Sequence, residues 1–299
     1  MNNKINFSKF FRVANIVSLL AITLSIIFLF LKGLNYGVDF KGGTLLEIRI
    51  SQSNIEIQDV RNSLRIADLG DISVKEFGKK GDFLVKFEKN ANENKKFISE
   101  LKNKISAKIG SEVNFRRVES VGPKVSSELL KQGITAIALS LAAMLFYIWI
   151  RFEWQFSLGS IIALFHDVII TLGIFSILSL EVNLSIVAAV LTIVGYSMND
   201  TVVIYDRIRE NLLKYSKINT NEIANISVNE TLSRTIITSL TTLLALGSIF
   251  ILGGEILKGF SFAMILGVII GTYSSIFVAS PVLNYFKVTQ KTLLKEDKI

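Results

Sequence analysis

The sequence predicts a polytopic α-helical membrane protein: six transmembrane helices, with a small α+β domain inserted between the first and the second. Three observations carry this expectation. Six stretches are apolar enough and long enough to cross a bilayer, which takes about 20 residues; they lie at 13–32, 129–150, 156–180, 184–205, 235–253 and 259–286. Residues 33–128 instead mix charges with apolar periodicity, as a water-facing domain does. The 299 residues are 50% hydrophobic with a mean hydropathy of +0.48, too apolar for a soluble fold, yet 19% are charged, too many for spans alone.

The first span follows a short N-terminal segment, 1–12. It outruns a signal peptide's apolar region and lacks a small-x-small cleavage pattern before Gly37, so it is expected to remain as an anchor. Charge then assigns the sides. Lys4, Lys9 and Arg12 precede the first span, Arg151 separates the second from the third, and Arg207, Arg209, Lys214 and Lys217 separate the fourth from the fifth. Lys287, Lys291, Lys295 and Lys298 follow the sixth, whereas the opposite short loops offer Lys258 beside Glu255 and the basic-free 181–183. The positive-inside rule therefore puts 1–12, the loop 206–234 and the tail 287–299 in the cytoplasm, and 33–128 outside. Pro123 and Pro281, the only prolines, fall at expected junctions, so the helices should run largely unbroken.

The inserted domain reads as a ferredoxin-like βαββαβ unit. Residues 44–50 alternate as a strand, and Ile57, Val60, Leu64 and Ile66 keep helical spacing within 55–69. Strands at 74–77 and 83–87 flank Gly-Lys-Lys-Gly-Asp, a hairpin signal. Phe97, Leu101, Ile105 and Ile109 give a second helix, and 113–118 a closing strand.

Asp200 is the most informative residue. It stands within an apolar span, where a carboxylate costs about 2.5–3.5 kcal/mol on insertion scales, so it reads by default as an ion or proton site. Ser197, Asn199 and Thr201 are its expected local hydrogen-bond partners. The alternative is a structural carboxylate neutralised within the bundle. Arg234 opens the fifth span and has two readings: a cation snorkelling to the cytoplasmic surface, or the partner of Asp200. With about 1.5 Å of rise per residue the two backbones differ in depth by roughly 9 Å, within reach of an arginine and a water. His166 and Asp167 fall near the middle of the third span. Adjacent helical residues diverge by about 100°, so the two are expected to address different neighbours, as a candidate polar relay or as a structural bond. In the sixth span Gly259, Ala263, Gly267, Gly271, Ser275 and Ala279 recur every fourth residue. Such a stripe packs a helix closely, either inside the bundle or against a partner protein.

Composition excludes much else. Cysteine is absent and His166 is the only histidine, which removes disulfides, thiolate nucleophiles and the usual zinc sites. No P-loop and no catalytic Ser/His/Asp or paired-carboxylate set is present, so no enzyme and no bound cofactor are expected. The net charge of +8 lacks basic runs interleaved with aromatics, which argues against nucleic acid. An ion gradient is the remaining energy source, about 2.3 kcal/mol per charge per 100 mV.

Five motifs in order complete the reading: Tyr36-Gly-Val-Asp-Phe-Lys-Gly-Gly-Thr44, Val121-Gly-Pro-Lys-Val-Ser126, Phe165-His-Asp-Val-Ile-Ile170, the stretch 195–211 with Asn199-Asp-Thr-Val-Val203, and Leu232-Ser-Arg-Thr235. Together, over residues 8–288, they resemble the SecF branch of the SecD/SecF protein-export family, of the resistance–nodulation–division superfamily. In the first motif Gly37, Asp39, Gly42 and Gly43 form a turn where the chain leaves the membrane to begin a strand. The resemblance implies a multi-pass protein of the bacterial cytoplasmic (inner) membrane, pairing with SecD and working with the SecYEG channel, SecA and an unfolded preprotein. It implies that the proton motive force drives late translocation, with protons as the coupling ion and with Asp200 and Arg234 in the proton pathway. Two rival readings stay open at this point: a proton-coupled exporter of small molecules or lipids, and a structural tether for an external chaperone-like domain.

Overall fold

A computed structural model describes residues 5–51, 55–67, 69–76, 78–89, 96–215, 218–286, 288–290 and 292–293, with the side chains of 66, 255 and 256 left aside. Lys4, Phe77, Lys217, Lys287, Lys291, Lys295 and Lys298, which bear on the expectations above, lie outside the described residues, as does the side chain of Ile66. The chain divides into two compact units, one of residues 1–35, 135–181 and 185–299, the other of 36–134 and 182–184.

The smaller unit begins within strand β1 (Asn35–Tyr36) and takes in a single helical turn, α2 (Val38–Lys41); the preceding span is α1 (Phe11–Leu31). Its body is β2 (Gly43–Ile50), α3 (Ile57–Leu64), β3 (Ile72–Glu76), β4 (Asp82–Phe87), α4 (Phe97–Ile109) and β5 (Val113–Val121). The four-stranded sheet has the order β3-β4-β2-β5 with every neighbouring pair antiparallel, the expected βαββαβ plan. One sheet face and the two helices enclose an apolar core of Leu46, Ile48, Val60, Leu64, Phe83, Val85, Phe87, Leu101 and Ile105. Helix α3 starts in a capping box, in which Glu56 and Asp59 each accept the other's backbone N–H. Helix α4 stops at Gly110, whose φ of 69° is the left-handed cap. On the open face Arg49 grips Asp82 with two bonds of 2.6 and 2.5 Å, which holds that carboxyl below the usual carboxylate range. Lys86, on the same face, is pushed down to about 8 by its burial and by the neighbouring Lys75.

The motif turn behaves unevenly. Gly42 and Gly43 sit at φ of 81° and 116°, and a Cβ on Gly43 would lie 2.5 Å from the Phe87 carbonyl oxygen, so the strand pairing itself demands glycine there. Gly37, expected to serve the same turn, is extended (φ −74°, ψ 178°), a conformation open to any residue. Asp39 caps instead of turning: its Oδ2 accepts the N–H of Leu184 at 3.0 Å.

The helical unit contains α1, most of α5 (Pro123–Arg151), α6 (Trp154–Ile177), α7 (Leu184–Lys214) after strand β6 (Glu181–Val182), α8 (Thr220–Leu252), α9 (Gly254–Ser274) and α10 (Ser280–Tyr285). Six helical stretches are long and apolar enough to span a membrane. Stretches α6, α7 and the sixth are about half buried, while α1, α5 and α8 present most of their apolar surface outward, as lipid-facing helices do. The core joins Ile148, Phe156, Leu164, Val194, Met198, Ile204, Tyr205 and Ile208.

Two expectations give way. The stretch 206–234 is no loop: α7 continues to Lys214 and α8 begins at Thr220, with 215–219 between them. These extensions are helical because they bury Ile208 and Leu212 on one side and Ile223, Ala224 and Val228 on the other. Arg207 ties them together by bonding Glu230 at 2.7 Å, while Asn211 bonds Ser227 and Glu230 at 2.9 and 2.8 Å. The sixth span is also not uniform, since a π turn, Ser275–Ala279, separates α9 from α10. Pro281, lacking an N–H, stands next to that widened turn.

Candidate functional site

Asp200 lies 17 positions along a helix that nothing breaks between Leu184 and Lys214, and is 3% exposed. Its Oδ2 has no hydrogen-bond partner, and its carboxylate has no ion pair within 4 Å among the described residues. The charge whose field reaches it is the guanidinium of Arg234 on α8. Arg234 is exposed and stands well inside α8, since that helix begins at Thr220; it does not open the helix.

The expected local partners of Asp200 are otherwise engaged. The Ser197 hydroxyl donates to Asp167 Oδ2 at 2.5 Å, and the Thr201 hydroxyl meets that of Ser275 at 2.8 Å. Asn199, the third expected partner, is exposed on α7. A helix turns by about 100° per residue, and the neighbour of an inward residue must point elsewhere.

His166 and Asp167 are 1% and 0% exposed. They address different helices, as their angular divergence requires, but they also bond each other: His166 Nδ1 is 2.8 Å from Asp167 Oδ1. On the other side His166 Nε2 is 3.2 Å from Ser18 Oγ on α1, and the ring stacks on Tyr273. Asp167 Oδ2 accepts from Ser274 of α9 at 2.8 Å as well as from Ser197 of α7. Four helices therefore meet through one chain of hydroxyls around a single histidine and a single acid.

The small-residue stripe explains how they come so close. A Cβ on Gly267 would lie 2.2 Å from Ile193, and one on Gly271 would lie 2.9 Å from Ser197. Gly259 faces Ile186, Ser275 bonds Thr201, and the Ala279 carbonyl accepts from Tyr205 at 2.9 Å. The stripe is the seam between the sixth span and α7, inside the bundle.

Several polar residues in this arrangement carried no sequence signal. Ser18, Ser274 and Tyr273 read as ordinary span residues. Glu153, at the start of α6, is 6% exposed, with Oε2 unpartnered and Oε1 3.2 Å from Arg209; an acid beside a span boundary gave no reason to expect burial.

Comparison with known proteins gives a consistent answer. Residues 101–289 match the family model described as protein export membrane protein SecD/SecF, C-terminal, and residues 27–53, which contain Gly42 and Gly43, match the SecD/SecF GG motif. The chain is 44% identical over 287 residues to the protein translocase subunit SecF of Rickettsia rickettsii (strain Sheila Smith), covering 95% of this chain and 93% of that protein. It is 41% identical over 301 residues to the SecF of Cereibacter sphaeroides, covering 98% and 89%. Among solved structures it resembles the crystal structure of SecDF, a translocon-associated membrane protein from Thermus thermophilus, with a TM-score of 0.86 and 36% identity over 96% of this chain. A second SecDF structure, in a super-membrane-facing form, matches at a TM-score of 0.71 and 34% identity. The chain spans 39% and 41% of those two SecDF chains. With the family model matching most of its length and SecF relatives aligned almost end to end, the chain belongs to the SecD/SecF family of protein export membrane proteins.

Proposed function

We propose that this protein is the SecF subunit of a Sec preprotein translocase and that, paired with SecD, it uses the proton motive force to promote translocation across the bacterial cytoplasmic membrane. SecYEG, SecA and the unfolded preprotein are its further partners, and the proton is its coupling ion. Both termini face the cytoplasm, a reading supported by the basic residues Lys9, Arg12, Arg151, Arg207, Arg209 and Lys214 on one side.

The observation that carries the reading is Asp200: a buried acid in a membrane helix, with one carboxylate oxygen unpartnered and one cation acting on it from the adjoining span. A purely structural acid would be expected to saturate both oxygens, because an unmet acceptor in a low-dielectric interior is expensive. In the proposed cycle a proton entering from outside neutralises Asp200 and removes its attraction to Arg234, and the helices shift.

The test is Asp200→Asn in inverted membrane vesicles containing SecD, with preprotein import followed with and without a gradient. Gradient stimulation is expected to vanish at normal protein levels, leaving the ATP-driven rate. Full stimulation in the variant would return the protein to the tether reading. Arg234→Met is expected to lower stimulation as well.

A further inference from the structure

We infer that His166 and Asp167 hold one proton between them, as an imidazolium–carboxylate pair, and so form a second proton-carrying station separate from Asp200. Its use in transport rests on the proton-driven reading above, but its existence does not. Donor direction places the hydrogens. Tyr273 has a single hydroxyl hydrogen, and Tyr273 Oη lies 2.8 Å from the Ala14 carbonyl, which can only accept. At the 3.1 Å contact between Tyr273 Oη and Ser18 Oγ, the donor must then be Ser18. The only hydrogen of Ser18 is thereby spent, so Ser18 Oγ accepts at its 3.2 Å contact with His166, and Nε2 of His166 carries a hydrogen.

The other ring nitrogen faces Asp167 Oδ1 at 2.8 Å, a separation that needs a hydrogen on one side or the other. That hydrogen is in excess of a neutral histidine and an ionised aspartate. Asp167 Oδ2 already receives the Ser197 hydroxyl and shares that of Ser274, at 2.8 Å, with the Gly271 carbonyl at 3.1 Å, and donors so placed favour the ionised, acceptor-only carboxylate. The hydrogen is therefore placed on Nδ1. The groups packed against the pair from α1, α7 and α9 are Ser18, Ser197, Tyr273 and Ser274, and within ion-pair distance the described residues give His166 and Asp167 only each other.

Discharge has a structural condition. When the Nε2 proton leaves, that nitrogen becomes an acceptor, and the Ser18 hydroxyl must turn from Tyr273 to donate to it. Ser18 belongs to α1, so loading and unloading of the pair reverses the direction of the hydrogen bond between α1 and α6.

His166 is the only histidine of this chain, so labelling this chain alone with ring-15N histidine and reconstituting it with unlabelled SecD gives two ring resonances and no others. The full chain with SecD in lipid nanodiscs is expected to show both nitrogens hydrogen-bearing at pH 7.5. A bare ring nitrogen at that pH overturns the assignment. Tyr273→Phe frees the Ser18 hydroxyl to donate to Nε2, and Ser18→Ala removes the acceptor. Each is expected to convert the spectrum to one bare and one hydrogen-bearing nitrogen at pH 7.5, and a spectrum unchanged in both variants overturns the donor chain. Asp200→Asn is expected to leave both resonances in place even where export fails, which separates this inference from the role of Asp200. Loss of a ring hydrogen in Asp200→Asn would show that the two stations are not separate.

Discussion

The two units of this protein are held together by different means. The core of the α/β unit is hydrocarbon: Leu46, Ile48, Val60, Leu64, Phe83 and Val85 are wholly withdrawn from solvent, and the ion pair Arg49–Asp82 stands on the other face of the sheet. The helical unit also buries apolar residues such as Phe156, Val194 and Ile208, but it turns Phe30, Leu31, Ile251 and Leu252 outward and buries His166, Asp167, Ser197, Ser274 and Ser275 as well. Water supplies the drive for the first arrangement. In lipid that drive between helices is missing, so close approach of small residues and interhelical hydroxyl bonds take its place. One chain therefore differs in what it exposes and in which polar groups it buries, according to its solvent.

The contrast is sharpest under core truncation. Phe83→Ala should destabilise the α/β unit by about 3–5 kcal/mol, read by hydrogen exchange at the β4 amides of the full chain in detergent. A loss under about 1 kcal/mol would mean that apolar burial is not what holds this unit. The opposite kind of change should damage the helical unit. Gly267→Val brings new atoms against Ile193 and is expected to cost about 1–3 kcal/mol in resistance to heat or protease, with partial recovery when Ile193→Ala is added. Absence of recovery would detach the stripe from the seam with α7.

A smaller effect, of opposite sign, is expected at Lys86. Its folded-state value of about 8 lies below the ordinary 10.5, so the native state disfavours the charge. The penalty is fully present below pH 8 and fades as pH rises from 8 toward 10.5. A tenfold change in proton affinity corresponds to about 1.4 kcal/mol, and partial exposure of the ammonium to water reduces the effect. Lys86→Met should therefore stabilise the α/β unit at pH 7 by about 1–3 kcal/mol, a gain that disappears near pH 10.5. Smallest of all, Ser274→Ala should cost only about 0.6 kcal/mol, because unfolded spans in lipid also find partners for their hydroxyls. A much larger loss would mark the bond to Asp167 as a principal fastening of the bundle.

What the residues announced beforehand follows the same division. The βαββαβ order was legible because water enforces periodicity: Phe97, Leu101 and Ile105 repeat at helical spacing, and Phe83, Val85 and Phe87 alternate. The spans were legible from apolar length, and Asp200 from the cost of an acid within one. The hydroxyl network was not. In any span a serine or threonine can satisfy itself on its own backbone, as Thr192, Thr241 and Ser248 do on the carbonyls four residues back, and nothing in the sequence separates those from Ser197 or Ser274. The 206–234 stretch escapes a hydropathy reading for a different reason. Its charges end the apolar signal, while Ile204, Ile208 and Leu212 continue the four-residue repeat that makes it helix.

Helix α7 runs from Leu184 to Lys214 without a proline, 31 residues or roughly 46 Å at 1.5 Å per residue. Asp200 falls near its midpoint. A stiff rod levered at its centre amplifies small rotations at both tips, and a tilt of about 10° displaces each end by about 4 Å, in opposite senses. In the cycle proposed above, neutralising Asp200 would therefore act at the middle of an unbroken shaft, along which no backbone bond has to break.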